Sequence, residues 1–200
     1  MKKGKDDKKV QSIEVFSAKD FHDWLVKHHE KESSVAVILH KKHTGKMKTN
    51  TAELMKVAIS FGWIDTTAKR VDEDRWSINY KKRNKNSKWS YNTLKYGKEL
   101  IKQGKMHPQG LKFYKEGLKK PPHDYGIPDN PYMPLELRQD IEKNKGLMEK
   151  FDKIAPSMKK MYYRWIIRAK RPETKEKRIK EVVKRVSEGK KGFLVMMKDV

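Results

Sequence analysis

Residues 63–82, WIDTTAKRVDEDRWSINYKK, decide the fold. Trp63, Asp65, Thr67 and Lys69 fall on one face of an extended chain, and Ile64, Thr66, Ala68 and Arg70 on the other. The acidic cluster Asp72, Glu73 and Asp74 interrupts the run, after which Trp76, Ile78 and Tyr80 alternate with Ser77, Asn79 and Lys81. Two runs of period two around a polar turn predict an antiparallel hairpin.

Upstream, Ile13, Val15 and Phe16 read as a short strand, and Ser17 or Asp20 can cap a helix that places Phe21, Trp24, Leu25 and His28 on one face. SSVAVILHKK is a continuous β-branched run and reads as a buried strand. A turn containing Gly45 follows, then a helix starting between Thr49 and Thr51 with Leu54, Val57, Ala58 and Phe61 at helical spacing and Gly62 at its end. Downstream the pattern is helical: 89–103 stopped by Gly104, then a helix from Pro108 to about Lys119. PPHDYGIPDNPYMP, with five prolines, is the clearest linker. Beyond it come short helices over 135–144 and 147–154, an apolar stripe from Met158 to Ala169, and a last helix opened by Pro172 with Ile179, Val182, Val183 and Val186 facing inward. The expected architecture is α+β: a small, mostly antiparallel sheet covered by helices over 11–120, a linker over 121–134 and a helical subdomain over 135–190. A charged leader (1–10) and a tail (191–200) flank these parts.

Two hundred residues with 36% hydrophobic content can bury roughly 70% of the unfolded chain's surface. The absence of cysteine excludes disulfides and thiolate chemistry and fits a reducing compartment. No apolar run approaches the ~20 residues that span a bilayer, and the charged start lacks an apolar export segment. A cytoplasmic protein is expected. The formal charge of +23 draws polyanions. Only nine of the 49 cations are Arg, however, and the lysines are scattered, which favours salt-dependent, nonspecific adhesion over a dedicated phosphate reader.

The phrases FHDWL, HKKHTGK, FGWID, SKWSYN, LIKQGKMHPQG and RWIIRAKRPETKEKRIKEVVKRVSEG resemble, in order and over most of the chain, the bacteriocin-protection family, also called YdeI/OmpD-associated proteins. The resemblance implies a small cytoplasmic-type protein linked to protection against bacteriocins and antimicrobial stress, with no assigned catalytic residue. It implies a shared surface at Lys41, Lys42, Gly62, Trp63, Asp65, Arg83, Trp89, Ser90, Asn92, Gly104 and Met106. Two departures stand out: Thr66 replaces the family's glycine after Trp-Ile-Asp, and NYKKR replaces its proline-containing turn.

Asp65 beside Trp63 reads either as a ligand-orienting acid or as a carboxylate that braces the hairpin through backbone or Arg83. Residues 75–98 hold eight cations and no acid, interleaved with Trp76, Tyr80, Trp89, Tyr91 and Tyr96. They could stack bases, or the rings could pack inward under solvated lysines. His28, His29, His40 and His43 show no HExxH spacing, and serine-hydrolase, P-loop and Rossmann motifs are missing. No metal, cofactor or catalytic residue is therefore assigned. The leading expectation is a noncatalytic protein that binds a small anionic or polar ligand through Lys41, Lys42, Trp63, Asp65, Arg83, Trp89, Ser90 and Asn92. The alternatives are a nonspecific nucleic-acid module built on 75–98 and an enzyme centred on Asp65. The basic face of the last helix reads as either a polyanion-binding surface or an ordinary core cover.

Overall fold

The computed structural model describes residues 10–190. The leader up to residue 9 and the 191–200 tail lie outside the described residues. The hairpin forms as β3 (Trp63–Arg70) and β4 (Arg75–Lys82), antiparallel from Trp63 opposite Lys82 to Arg70 opposite Trp76. Asp72 builds the turn, its carboxylate accepting the amides of Asp74 (2.9 Å) and Arg75 (2.7 Å). The simple alternation ends at Asp65. Asp65 lies opposite Tyr80 but Thr67 lies opposite Asn79, so Thr66 is an inserted residue, a bulge whose hydroxyl donates to the Asn79 carbonyl at 3.0 Å. One extra residue reverses the phase of everything after it. Ala68, expected on the face opposite Trp63, instead packs against the same core.

β4 is an inner strand. It pairs antiparallel with β2 (Ser34–His40), which pairs in parallel with β1 (Ser12–Glu14), giving a mixed sheet of order β1-β2-β4-β3. Val35, Val37 and Leu39 of β2 are buried, as the β-branched run predicts. Helix α1 (Ala18–His28) opens with a capping box: Ser17 accepts the Asp20 amide, and the Asp20 carboxylate accepts those of Ser17 and Phe16. Helix α2 (Thr51–Ser60) is capped by Asn50, which accepts from Ala52 and Glu53 at 3.0 Å each. Phe21 and Leu25 of α1, with Leu54 and Ala58 of α2, close over the sheet's Val35, Val37, Ile78 and Tyr80. Each large side chain removed from water here stabilises the fold by roughly 1.5–3 kcal/mol.

Helices α3 (Tyr91–Lys102) and α4 (Pro108–Leu118) form a smaller cluster of Trp89, Leu100 and Tyr114 against Ile59 of α2. The chain after α4 returns to the start of α3: the His123 amide donates to the Trp89 carbonyl at 2.8 Å, and the Tyr91 amide donates to the Asp124 carboxylate at 3.1 Å. The chain divides into two compact units, one ending at Tyr125 and the other starting at Gly126.

The second unit is helical: α5 (Leu135–Glu142), α6 (Leu147–Asp152), α7 (Pro156–Ile167) and α8 (Pro172–Ser187). Ile179, Val182 and Val186 of α8 join Leu137, Ile141, Phe151, Tyr162, Trp165 and Ile166 in one core. The valines at helical spacing thus face a core, while the lysines of α8 take the outer side.

Candidate functional site

β4 ends at Lys82, the Arg83 amide donates to the Gly62 carbonyl at 2.9 Å, and the Arg83 side chain is buried. Only 2% of Arg83 is exposed. Its guanidinium lies 3.7 Å over the Trp89 ring and donates through Nη1 to the Lys88 carbonyl at 3.0 Å, while Nε and Nη2 have no hydrogen-bond partner. Burial pushes this guanidinium down to about 10, opposed by the charge of Asp65. Burial likewise raises the Asp65 carboxyl above its ordinary range, opposed by its own backbone hydrogen bond and by Arg83. Trp89 is walled by the edge of Tyr114, 5.7 Å between centroids, and by the backbone of Gly117.

The structure therefore brings Arg83 and Trp89 into contact and sets Asp65 within their electrostatic reach. Trp63 belongs elsewhere: it is wholly buried in the sheet core, edge-on to Trp24 at 5.9 Å, and its indole N–H finds no acceptor. Ser90 is spent as the cap of α3, exchanging hydrogen bonds with Thr93, and Asn92 is exposed on the first turn. Across 75–98 the rings mostly pack inward, with Tyr80 and Trp89 buried and Tyr91 half exposed. Base stacking by the whole set is thereby lost.

Lys41 and Lys42 lie at a different place, where β2 runs into a single 3-10 turn (Lys42–Thr44) before α2. They line a concavity of ≈ 580 Å³ with Leu39, Met47, Leu54 and Trp76 as its apolar wall and Thr49, Asn50 and Thr51 at its rim. Lys41 is committed to the hairpin turn, its ammonium donating to the carbonyls of Asp72 (3.2 Å) and Glu73. Lys42 is exposed. Asn50 takes the Ala52 and Glu53 amides and so caps α2 at this rim, and Thr51 opens the helix beside it. Trp76, Asn50 and Thr51 were absent from the predicted set; the Asn-Thr pair before an apolar helical run was the signal that could have added the last two.

His40 stands between this concavity and a second one of ≈ 440 Å³ lined by Glu14, Phe16, Asp72, Asp74 and Arg75. Its Nε2 is 2.8 Å from Glu14, and Arg75 links Glu14 (3.7 Å) to Asp72 (2.7 Å), a chain of polar contacts that ties β1 to the hairpin turn. The histidines do not gather: His43 reaches Asp74 at 2.9 Å, His28 stacks on Trp24, and His29 meets His107. Among the described residues no three His, Cys, Asp or Glu side chains form a group that could hold a metal ion.

Residues 13–113 match the model of a domain of unknown function, DUF8412, which is half of the chain. Residues 130–189 match the model described as Bacteriocin-protection, YdeI or OmpD-Associated. The chain belongs to the DUF8412 family over its first half, and its 130–189 segment is of the bacteriocin-protection, YdeI/OmpD-associated type. RWIIRAKRPETKEKRIKEVVKRVSEG lies inside the bacteriocin-protection match, whereas FHDWL, HKKHTGK, FGWID, SKWSYN and LIKQGKMHPQG lie in the DUF8412 half. No curated protein and no solved structure matches the chain. Among the described residues no helix is long and apolar enough to cross a membrane.

Proposed function

We propose that the first unit is a noncatalytic, cytoplasmic binding domain for a small anionic ligand with a flat apolar body, seated in the concavity at Trp76 and contributing to antimicrobial-stress protection. The observation that carries the reading is the joining of the Trp76 indole and the side chains of Leu39, Met47 and Leu54 with Lys42 and Thr51 around one hollow. Apolar walls bury the body of a ligand, and a few fixed polar groups choose its charge. Lys41 positions the hairpin turn at the rim. Arg83, Trp89, Asp65 and Ser90 brace the far end of the sheet and the start of α3 and do not touch the ligand.

Phenyl phosphate tests this by saturable change in tryptophan fluorescence, with phenol and inorganic phosphate as the apolar and anionic halves of the probe. Phenyl phosphate should bind more tightly than either half, and Lys42→Glu, a surface change, should weaken it on the order of tenfold. Unsaturable signals, or equal binding by wild type and Lys42→Glu, would remove the proposal.

A further inference from the structure

At the end of α1, His29 lies edge-on to His107 with ring centroids 4.5 Å apart, and Phe61 packs against both, 5.2 Å from His29 and 5.1 Å from His107. Hydrogen bonds fix how the two rings are held. His29 Nδ1 donates to the Leu25 carbonyl at 2.8 Å, and its Nε2 is buried with no hydrogen-bond partner. His107 is the N-cap of α4, and its Nδ1 accepts the Gln109 amide at 3.3 Å. The His107 ring is therefore neutral in this arrangement.

We propose that the His29–His107 pair is an acid-sensitive latch that holds the start of α4 on the corner between α2 and β3. Two penalties coincide when His107 takes a proton. The new Nδ1–H faces the Gln109 N–H and abolishes the cap, and the positive charge sits at a helix N-terminus, where the dipole opposes it. Burial, then His29, already hold the His107 ring below its ordinary range, with Glu30 opposing. The other titratable groups around the pair are His22, tied to Asp23 at 3.4 Å on α1, and Lys105 in the turn before α4; the α2–β3 corner contributes only Phe61 and backbone carbonyls.

What the latch holds is a close seam. The His107 amide donates to the Ser60 carbonyl and the Gln109 side chain to the Phe61 carbonyl, both at 3.0 Å. Gly110 presses on the Ser60 carbonyl and Gly62 on the Phe113 ring, with no room for a Cβ at either. Once the seam parts, these two carbonyls open to water beside the ≈ 340 Å³ surface hollow lined by His22, Phe61 and His107.

Hydrogen exchange at the His107 and Leu111 amides, corrected for intrinsic rates, reads the latch directly. Between pH 7.5 and pH 5 protection of both should fall on the order of tenfold, as expected for unit charges this close in a partly wet site, while amides of β4 stay protected. His107→Asn keeps an N-cap acceptor and cannot be protonated, so its protection should not change with pH. Equal protection at both pH values in the wild type, or the same loss in His107→Asn, would overturn the proposal. Should that variant not fold, the wild-type His107 ring resonance decides: amide opening must share its midpoint, and a different midpoint refutes the latch.

Discussion

Arg83 is a cation taken out of water and held by one carbonyl and one indole face. A buried charge without a close partner is costly, and Asp65 supplies only a distant one. For Asp65 the sign follows from burial: its folded-state pKa is raised, so stability is complete below the ordinary value of 3.8 and declines as pH rises through the folded value. Asp65→Asn removes that loss. The variant should be more stable than the wild type at pH 7 and equal to it near pH 3, by urea denaturation at both. A less stable variant at pH 7 would mean that attraction to Arg83 outweighs burial. That Arg83 is buried was not legible in NKNSK-type surroundings, because a cation among lysines reads as solvated; only its identity as Arg hinted that it stacks.

At the scale of elements, the hairpin was readable because period-two alternation is a local property of residues 63–82. The bulge at Thr66 was not, since Thr66 and Thr67 are both polar and mark no change of phase in the sequence, so that the insertion reveals itself only in the pairing with β4. The helices were legible from caps and apolar spacing, and most ends fall within a turn of the expected ones. The contact of α4 with Trp89 was invisible, because it depends on Gly117 having no side chain. Gly117→Ala drives a methyl into the indole and should cost about 1–3 kcal/mol, visible as a lower urea midpoint and a change in tryptophan emission. Unchanged values would show that α4 can shift at no cost.

At the scale of the molecule, the first unit holds the sheet core and the smaller α3–α4 cluster and the second a helical core, and the matched regions 13–113 and 130–189 fall one in each. Of the candidate site, the sequence exposed the residue types but scattered their places: Lys41 and Lys42 line the hollow at Trp76, Arg83 and Trp89 brace the fold, and Trp63 is core. Those assignments depend on which surfaces tertiary packing covers, and local pattern does not carry that. With a formal charge of +23, weak anion binding anywhere on the surface is the competing outcome, and it weakens steeply with salt. Amide and indole chemical-shift mapping with phenyl phosphate at physiological ionic strength separates the two. The account predicts saturating shifts confined to Lys42, Asn50, Thr51 and the Trp76 indole; shifts spread over the surface lysines, or centred on Arg83 and Trp89, would contradict it.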